Sequence, residues 1–155
     1  MIHTKTRMRI CTALLVLNVL IIWGSSSLPG SVSGAISGWV RDLIAGIFGG
    51  GTGDSDTGHG LLRKVGHFVE FSCLGVGFSW LFSMLKKPVA LTLLCGFSVA
   101  CVDETIQRFI PDRGPSIKDV LLDTAGVAFG LALILLGCAI YKKRKNNKIL
   151  EEKQL

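Results

Sequence analysis

Four stretches of this chain are apolar enough and long enough to cross the hydrocarbon core of a membrane. They lie at about 8–27, 65–85, 89–109 and 117–141, and a spanning helix needs about 20 residues. Charged residues make up 18% of the chain, whereas soluble domains carry about 25%. The sequence therefore predicts one all-α integral membrane domain over residues 1–155, with four transmembrane helices.

The first stretch has two interpretations. Basic residues precede its apolar run at 10–23 and small residues follow it, a pattern that is also typical of a cleaved signal peptide. No A-x-A cleavage motif follows the run. We therefore interpret this stretch as a membrane anchor.

The basic residues are distributed unevenly around the four stretches. With both termini inside, eleven lie in inner segments and six in outer segments. Cytoplasmic segments of membrane proteins carry the excess of Lys and Arg, so both termini are predicted to be cytoplasmic. The basic tail at 142–155 has no interleaved aromatic residue. It favours a cytoplasmic segment beside anionic lipid over a nucleic-acid site.

The outer segment at 28–64 carries apolar residues at helical spacing between Ile36 and Ile47. This pattern predicts a short helix in the outer interface, with Trp39 at the level of the lipid headgroups. The glycine-rich residues 49–60 predict an outer linker. The five cysteines fall within the apolar stretches and include no C-x-x-C spacing, so we interpret them as small apolar residues.

Ionisable side chains recur in the outer halves of the last three stretches. At about 1.5 Å of rise per residue, Glu70, Asp103 and Asp123 lie roughly 7–9 Å below the nearest outer basic residue. Charge within a bilayer is costly, and such residues usually face the helix bundle and often mark function. Gly126 and Gly130 form a G-x-x-x-G pair that allows close helix approach. We expect a shared polar site in the outer leaflet.

Several of these residues also have purely structural interpretations. The alternatives are a capping box between Ser116 and Asp119, an ion pair between Glu104 and Arg108, a snorkelling role for Lys64, and a hydrogen bond from His67 to Glu70 or to a neighbouring helix.

The polar set offers groups for acid–base chemistry and for ligand binding. The candidate catalytic residues are His67, Glu70, Asp103 and Glu104, and the candidate ligand-binding residues are Lys64, Gln107, Arg113, Asp119 and Asp123. Arg113, with the amino end of the fourth helix, is suited to a phosphate or carboxylate. One histidine with dispersed acids is a weak signal for a divalent ion, so the metal and any cofactor stay open.

Three motifs, KVGHFVEF, DETIQRFIPDRGPSIKDV and DTAGVAFG, resemble the VanZ family of bacterial membrane proteins. The resemblance covers residues 62–130, which we call the VanZ-like core. Phe71 stands where the family usually has Tyr, and Asp123 where it usually has Asn. The matching positions are His67, Glu70, Phe71, Asp103, Glu104, Gln107, Arg113, Asp119, Asp123 and Gly126.

The resemblance implies a multi-pass protein of the bacterial cytoplasmic membrane that acts at its outer face. It further implies an effect on susceptibility to the glycopeptide teicoplanin, through a cell-wall precursor or another lipid-linked ligand. The partners expected are membrane lipid and this ligand, with no nucleic acid. Three alternatives stay open: a membrane-embedded hydrolase or transferase, a small oligomeric transporter, and a structural partner of other envelope proteins.

Overall fold

The computed structural model describes residues 2–48, 56–111, 113–114 and 116–152. Residues 49–55 of the predicted linker and 153–155 of the basic tail lie outside this description. Over the described residues the fold is all-α, as predicted, with five helices and no strand. The helices are α1 (Ile2–Ser26), α2 (Gly30–Phe48), α3 (Asp56–Met84), α4 (Ala90–Gln107) and α5 (Ile117–Glu152).

Four of these helices, α1, α3, α4 and α5, are long and apolar enough to cross a membrane. The described part of the chain thus confirms the four predicted spans. Much of their apolar surface is exposed, for example Leu14, Leu94 and Leu136 at about 60%. Such a surface is costly in water but matches lipid tails. The protein is therefore a multi-pass membrane protein.

The helix α2 is the element predicted between the first two spans. It has 19 residues and is the most amphipathic of the five helices. It starts after Pro29, whose carbonyl accepts the first amide hydrogen bond, from Ser33. Trp39 is 68% exposed, while Ser37 and Val40 face a cavity against α3. One side of α2 thus packs towards α3 and another leaves Trp39 exposed, an arrangement open to an interfacial helix.

Two spanning helices run beyond the apolar stretches that predicted them. α3 begins at Asp56 rather than near 65, and α5 continues to Glu152 rather than ending near 141. No proline interrupts either helix, and the tail residues from 142 onward are mostly good helix formers. Hydropathy marks the apolar part of a helix, whereas backbone hydrogen bonding continues into its polar ends.

The helix α3 lies at the centre of the bundle, where it contacts each of the other four helices, α5 most extensively. A Cβ on Gly130 would lie 2.1 Å from the Ser72 carbonyl oxygen, and one on Gly126 would lie 2.7 Å from that of Phe68. The two helices therefore approach backbone to backbone, as the G-x-x-x-G spacing predicted. This approach brings the third and fourth turns of α5 against the part of α3 around Phe68 and Ser72.

Antiparallel packing places the polar ends of the spans together. At one end, the Cys11 thiol lies 3.6 Å from the Gly77 carbonyl, which sets α1 against α3. At the other end, the amide of Gly30 donates to the Pro111 carbonyl, which ties the start of α2 to the α4–α5 connection. The turn between α3 and α4 contains Lys86 at a positive φ of 53°. The end of α1, the beginnings of α3 and α5 and the end of α4, all predicted to be outer, consequently surround one region.

Candidate functional site

Asp103 is the centre of the polar region and is completely buried. Its Oδ2 atom accepts hydrogen bonds from Ser26 Oγ at 2.9 Å and from Gln107 Nε2 at 2.8 Å. Gln107 Nε2 is also 3.2 Å from Ser26 Oγ. Asp103 and Gln107 lie four residues apart on α4, so helical spacing alone brings their side chains together. These bonds join α4 to the end of α1 and fix the orientation of the carboxylate.

His67 and Asp123 bring α3 and α5 to the same point. His67 Nδ1 lies 3.8 Å from Asp103 Oδ2, and the histidine side chain is only 13% exposed. Asp123 is 2% exposed. One potential ligand atom from each of the three residues lies within 4.8 Å of the others. The structure thus brings two of the predicted acids together with the histidine, and we call these three residues the buried triad.

A cavity of about 500 Å³ lies beside the buried triad, between α2 and α3. Its wall includes four ionisable side chains, Arg63, His67, Glu70 and Arg113. The rest of its wall is largely apolar or hydroxylic, from Ser25, Leu28, Ser33, Ile36, Ser37, Val40, Leu62, Val65, Gly66 and Val69. Glu70 therefore lines the cavity with His67, whereas Asp103 and Asp123 lie outside its wall. We call it the outer cavity, after the predicted orientation of the chain.

Arg113 closes the outer cavity from the α4–α5 connection. Its Nη1 and Nη2 atoms donate to the carbonyls of Ser26 at 3.2 Å and Ser25 at 3.3 Å, the last carbonyls of α1, where a cation is favoured by the helix dipole. Burial lowers the pKa of the Arg113 guanidinium, and the nearby Arg63 lowers it further. An arginine retains its proton even so. Arg113 is thus a fixed, half-buried positive charge.

Glu104 has a different role from the one its spacing indicated. Its Oε1 atom accepts a hydrogen bond from the amide of Ser116, just before α5. The predicted capping box is therefore wrong, because Glu104 of α4 occupies the amide that Asp119 would have bound. Asp119 instead lies 3.5 Å from Lys64 Nζ, a pair that is partly exposed at the rim of the site.

The structural alternatives for Glu104 and His67 have different outcomes. Within the described residues, Glu104 forms no ion pair with Arg108, which is exposed while Glu104 is buried. His67 was expected to bond either Glu70 or a neighbouring helix. Its Nδ1 atom lies 3.8 Å from Asp103 on the neighbouring α4, a distance too long for a hydrogen bond. The difference for Glu104 arises because the α4–α5 connection places the Ser116 amide beside its carboxylate.

Ser26 and Arg63 are the residues that sequence reasoning missed. Ser26 is fully buried and donates to Asp103, and Arg63 lines the outer cavity. Ser26 ends the first apolar stretch, at the outer level where the acids were expected. Arg63 adjoins Lys64 at the outer end of the second stretch. Both residues lie at the predicted outer ends of their spans, close to the level of the acids, and this position could have identified them as site residues.

The family comparison matches residues 11–138 of the 155-residue chain to VanZ/LLP1. The chain belongs to the VanZ/LLP1 family. The match extends beyond the residues that carry the sequence resemblance, since it takes in most of α1, all of α2 and α5 as far as Cys138. The helix that supplies Ser26 is therefore part of the VanZ/LLP1 region. Neither the curated proteins nor the solved structures yield a match.

Proposed function

We propose that this VanZ/LLP1 protein acts at the outer face of the bacterial cytoplasmic membrane, where it binds an anionic lipid-linked ligand and so lowers susceptibility to teicoplanin. The observation that carries the proposal is the outer cavity, where two arginines and an apolar wall occur together. A headgroup phosphate and its attached hydrocarbon need these two environments side by side.

The two arginines of the cavity have unused capacity to bind an anion. Neither Arg63 nor Arg113 forms an ion pair with an acid among the described residues. The Nε atom of Arg113 is buried and has no hydrogen-bond partner there. Guanidinium groups bind phosphate or carboxylate through parallel hydrogen bonds, and an anion between them relieves their mutual repulsion. This supports a ligand with at least one negative charge.

The apolar part of the cavity supports a ligand that stays attached to lipid. Ile36 and Val40 of α2 and Val69 of α3 contribute to its wall. The exposed Trp39 on α2 is suited to the headgroup level. An acyl or isoprenyl chain lying along α2 would leave its phosphate beside the two arginines. A cell-wall precursor carried on an isoprenyl diphosphate has this chemistry.

Lipid binding can be measured with the purified full chain in nanodiscs and a short-chain isoprenyl phosphate as the probe. We expect saturable binding, with about 10–100-fold weaker affinity for Arg63→Gln and for Arg113→Gln, because each loses charge-assisted hydrogen bonds. Arg108→Gln is the matched control, since Arg108 is exposed and does not line the cavity. Equal binding of the uncharged isoprenyl alcohol would refute an anion site.

The link to teicoplanin is tested in a susceptible bacterial host that expresses the chain. We expect a higher inhibitory concentration with the wild type and with Arg108→Gln, and loss of this protection with Arg63→Gln at equal membrane levels. Full protection by Arg63→Gln and Arg113→Gln together would show that the cavity is not needed for the phenotype.

A second candidate, a hydrolase or transferase for lipid-linked substrates, is favoured by the presence of His67 and Glu70 on one cavity wall. Glu70 would take a proton from the attacking water or hydroxyl group as the oxygen of that group forms a bond to phosphorus. His67 would give a proton to the leaving oxygen as the bond between phosphorus and that oxygen breaks. Labelled envelope lipids should then change in the presence of the wild type and not of Glu70→Gln. An identical lipid profile with both proteins would exclude this activity.

A further inference from the structure

The buried triad contains two carboxylates that the fold leaves incompletely satisfied. Asp123 is 2% exposed, yet it forms no hydrogen bond or ion pair with any described residue. The Oδ1 atom of Asp103 is buried without a hydrogen-bond partner, and so is Nδ1 of His67. Buried carboxylates without partners cost several kcal/mol. A cation among these three side chains would satisfy all of them.

We propose that His67, Asp103 and Asp123 bind one divalent transition-metal ion, of the class that includes Zn²⁺ and Mn²⁺. An imidazole nitrogen with two carboxylate oxygens is a ligand set for such ions. Ca²⁺ instead takes six to eight oxygen ligands. This metal site is separate from the anion site proposed in the outer cavity. The anion would contact Arg63 and Arg113, whereas the cation would contact the three residues of the buried triad.

The geometry of the buried triad is close to that of a metal site. Its ligand atoms lie within 4.8 Å of one another, whereas ligands about 2.0–2.2 Å from a tetrahedral ion are roughly 3.3–3.6 Å apart. Binding therefore requires the side chains to move together by about 1 Å. Asp123 is free to make this movement because no hydrogen bond holds its carboxylate.

Asp103 already accepts the kind of hydrogen bonds that orient a carboxylate ligand in a metal site. Ser26 and Gln107 both donate to Oδ2, which leaves Oδ1 available to an ion. Hydrogen bonds of this kind orient metal-ligating carboxylates. Three protein ligands leave a further coordination position. His67 belongs both to the triad and to the wall of the outer cavity, so the ion would lie beside that cavity.

Metal binding can be measured on the full chain, purified in detergent with an affinity tag that contains no histidine. After treatment with a chelator and dialysis, Zn²⁺ and Mn²⁺ are titrated by calorimetry without added lipid, and bound metal is counted by elemental analysis. We expect one ion per chain and a higher Tm with metal. An absence of uptake of both ions at about millimolar concentration would overturn the proposal.

The ligands are identified by three conservative variants, Asp123→Asn, Asp103→Asn and His67→Gln. Each should weaken metal binding about 100-fold or more, since each removes a direct ligand. Cys138→Ser is the matched control, because Cys138 is another potential metal ligand on α5 but is exposed and lies outside the triad. Unchanged affinity in a folded Asp123→Asn protein would refute the site.

If the variants do not fold, X-ray absorption spectroscopy of Zn²⁺ bound to the wild type identifies the ligands of the ion. We expect one imidazole nitrogen with the remaining ligands oxygen. Sulfur ligation, or more than one imidazole, would place the ion elsewhere and overturn the assignment. These measurements contain no added lipid. A negative result would therefore overturn the metal site alone, and the lipid-linked ligand of the outer cavity is tested separately by the binding experiment in nanodiscs.

Discussion

Ser26 and Asp103 are 77 positions apart along the chain, yet Ser26 Oγ lies 2.9 Å from Asp103 Oδ2. This hydrogen bond joins the last residue of α1 to α4. Gln107 lies within hydrogen-bond distance of both partners. The end of the first helix is thus a component of the polar region rather than only an anchor beside it.

Replacing Ser26 by Ala should lower the free energy of unfolding by about 1–2 kcal/mol, because a buried carboxylate loses a donor. Reversible unfolding in mixed micelles measures the change. Ser27→Ala is the control, since Ser27 is exposed and its hydroxyl bonds only the Trp23 carbonyl. Equal destabilisation by the two variants would show that the bond to Asp103 contributes nothing.

Replacing Gly130 by Ala should separate α3 and α5 and destabilise the bundle by about 1–3 kcal/mol. The added methyl group would lie 2.1 Å from the Ser72 carbonyl oxygen. Gly137→Ala on the same helix is the control, as a Cβ there has nothing within 4 Å and alanine favours helix formation. Thermal unfolding in detergent should show a lower Tm for Gly130→Ala alone.

Glu104→Ala should loosen the first turn of α5. The variant leaves the Ser116 amide without its acceptor, at a cost of about 1–2 kcal/mol, whereas Glu104→Gln keeps an oxygen in place and should have a smaller effect. Hydrogen–deuterium exchange of a peptide over 116–124 measures the difference. Unaltered exchange in Glu104→Ala, with Arg108→Ala as the control, would contradict a capping role.

The predicted orientation with both termini inside is checked by labelling single cysteines in a variant without the five native ones. Gly114 and Lys87 are exposed in connections at opposite ends of the bundle. A reagent that cannot cross membranes should label Gly114→Cys in intact cells, and Lys87→Cys only after permeabilisation. The reverse pattern would mean that the polar region faces the cytoplasm.

The spans and the close-packing face of α5 could be predicted because they depend on local sequence. The identity of α3 as the helix that packs on this face comes from the structure. A long apolar run determines a spanning helix, and two glycines four residues apart place their bare backbone on one face. The bond between Asp103 and Gln107 follows from helical spacing for the same reason.

The partners of Ser26 and Glu104 could not be predicted because they are tertiary. Serines in helices commonly bond their own backbone, as Ser25 and Ser27 do here, so nothing in the local sequence distinguishes Ser26 from them. Glu104 had Arg108 at favourable helical spacing, but the folded connection presents the Ser116 amide instead. Only the packing of the helices decides between such partners.

The bond between Ser26 and Asp103 also has a consequence for biogenesis. A spanning helix with acids is costly to insert, and α4 carries Asp103 and Glu104. Since Ser26 and His67 precede α4 along the chain, they are synthesised before Asp103 leaves the ribosome. The order of the helices lets α4 enter the bilayer with partners already present. A circular permutant that starts at α2 and makes α1 last should therefore insert α4 less efficiently.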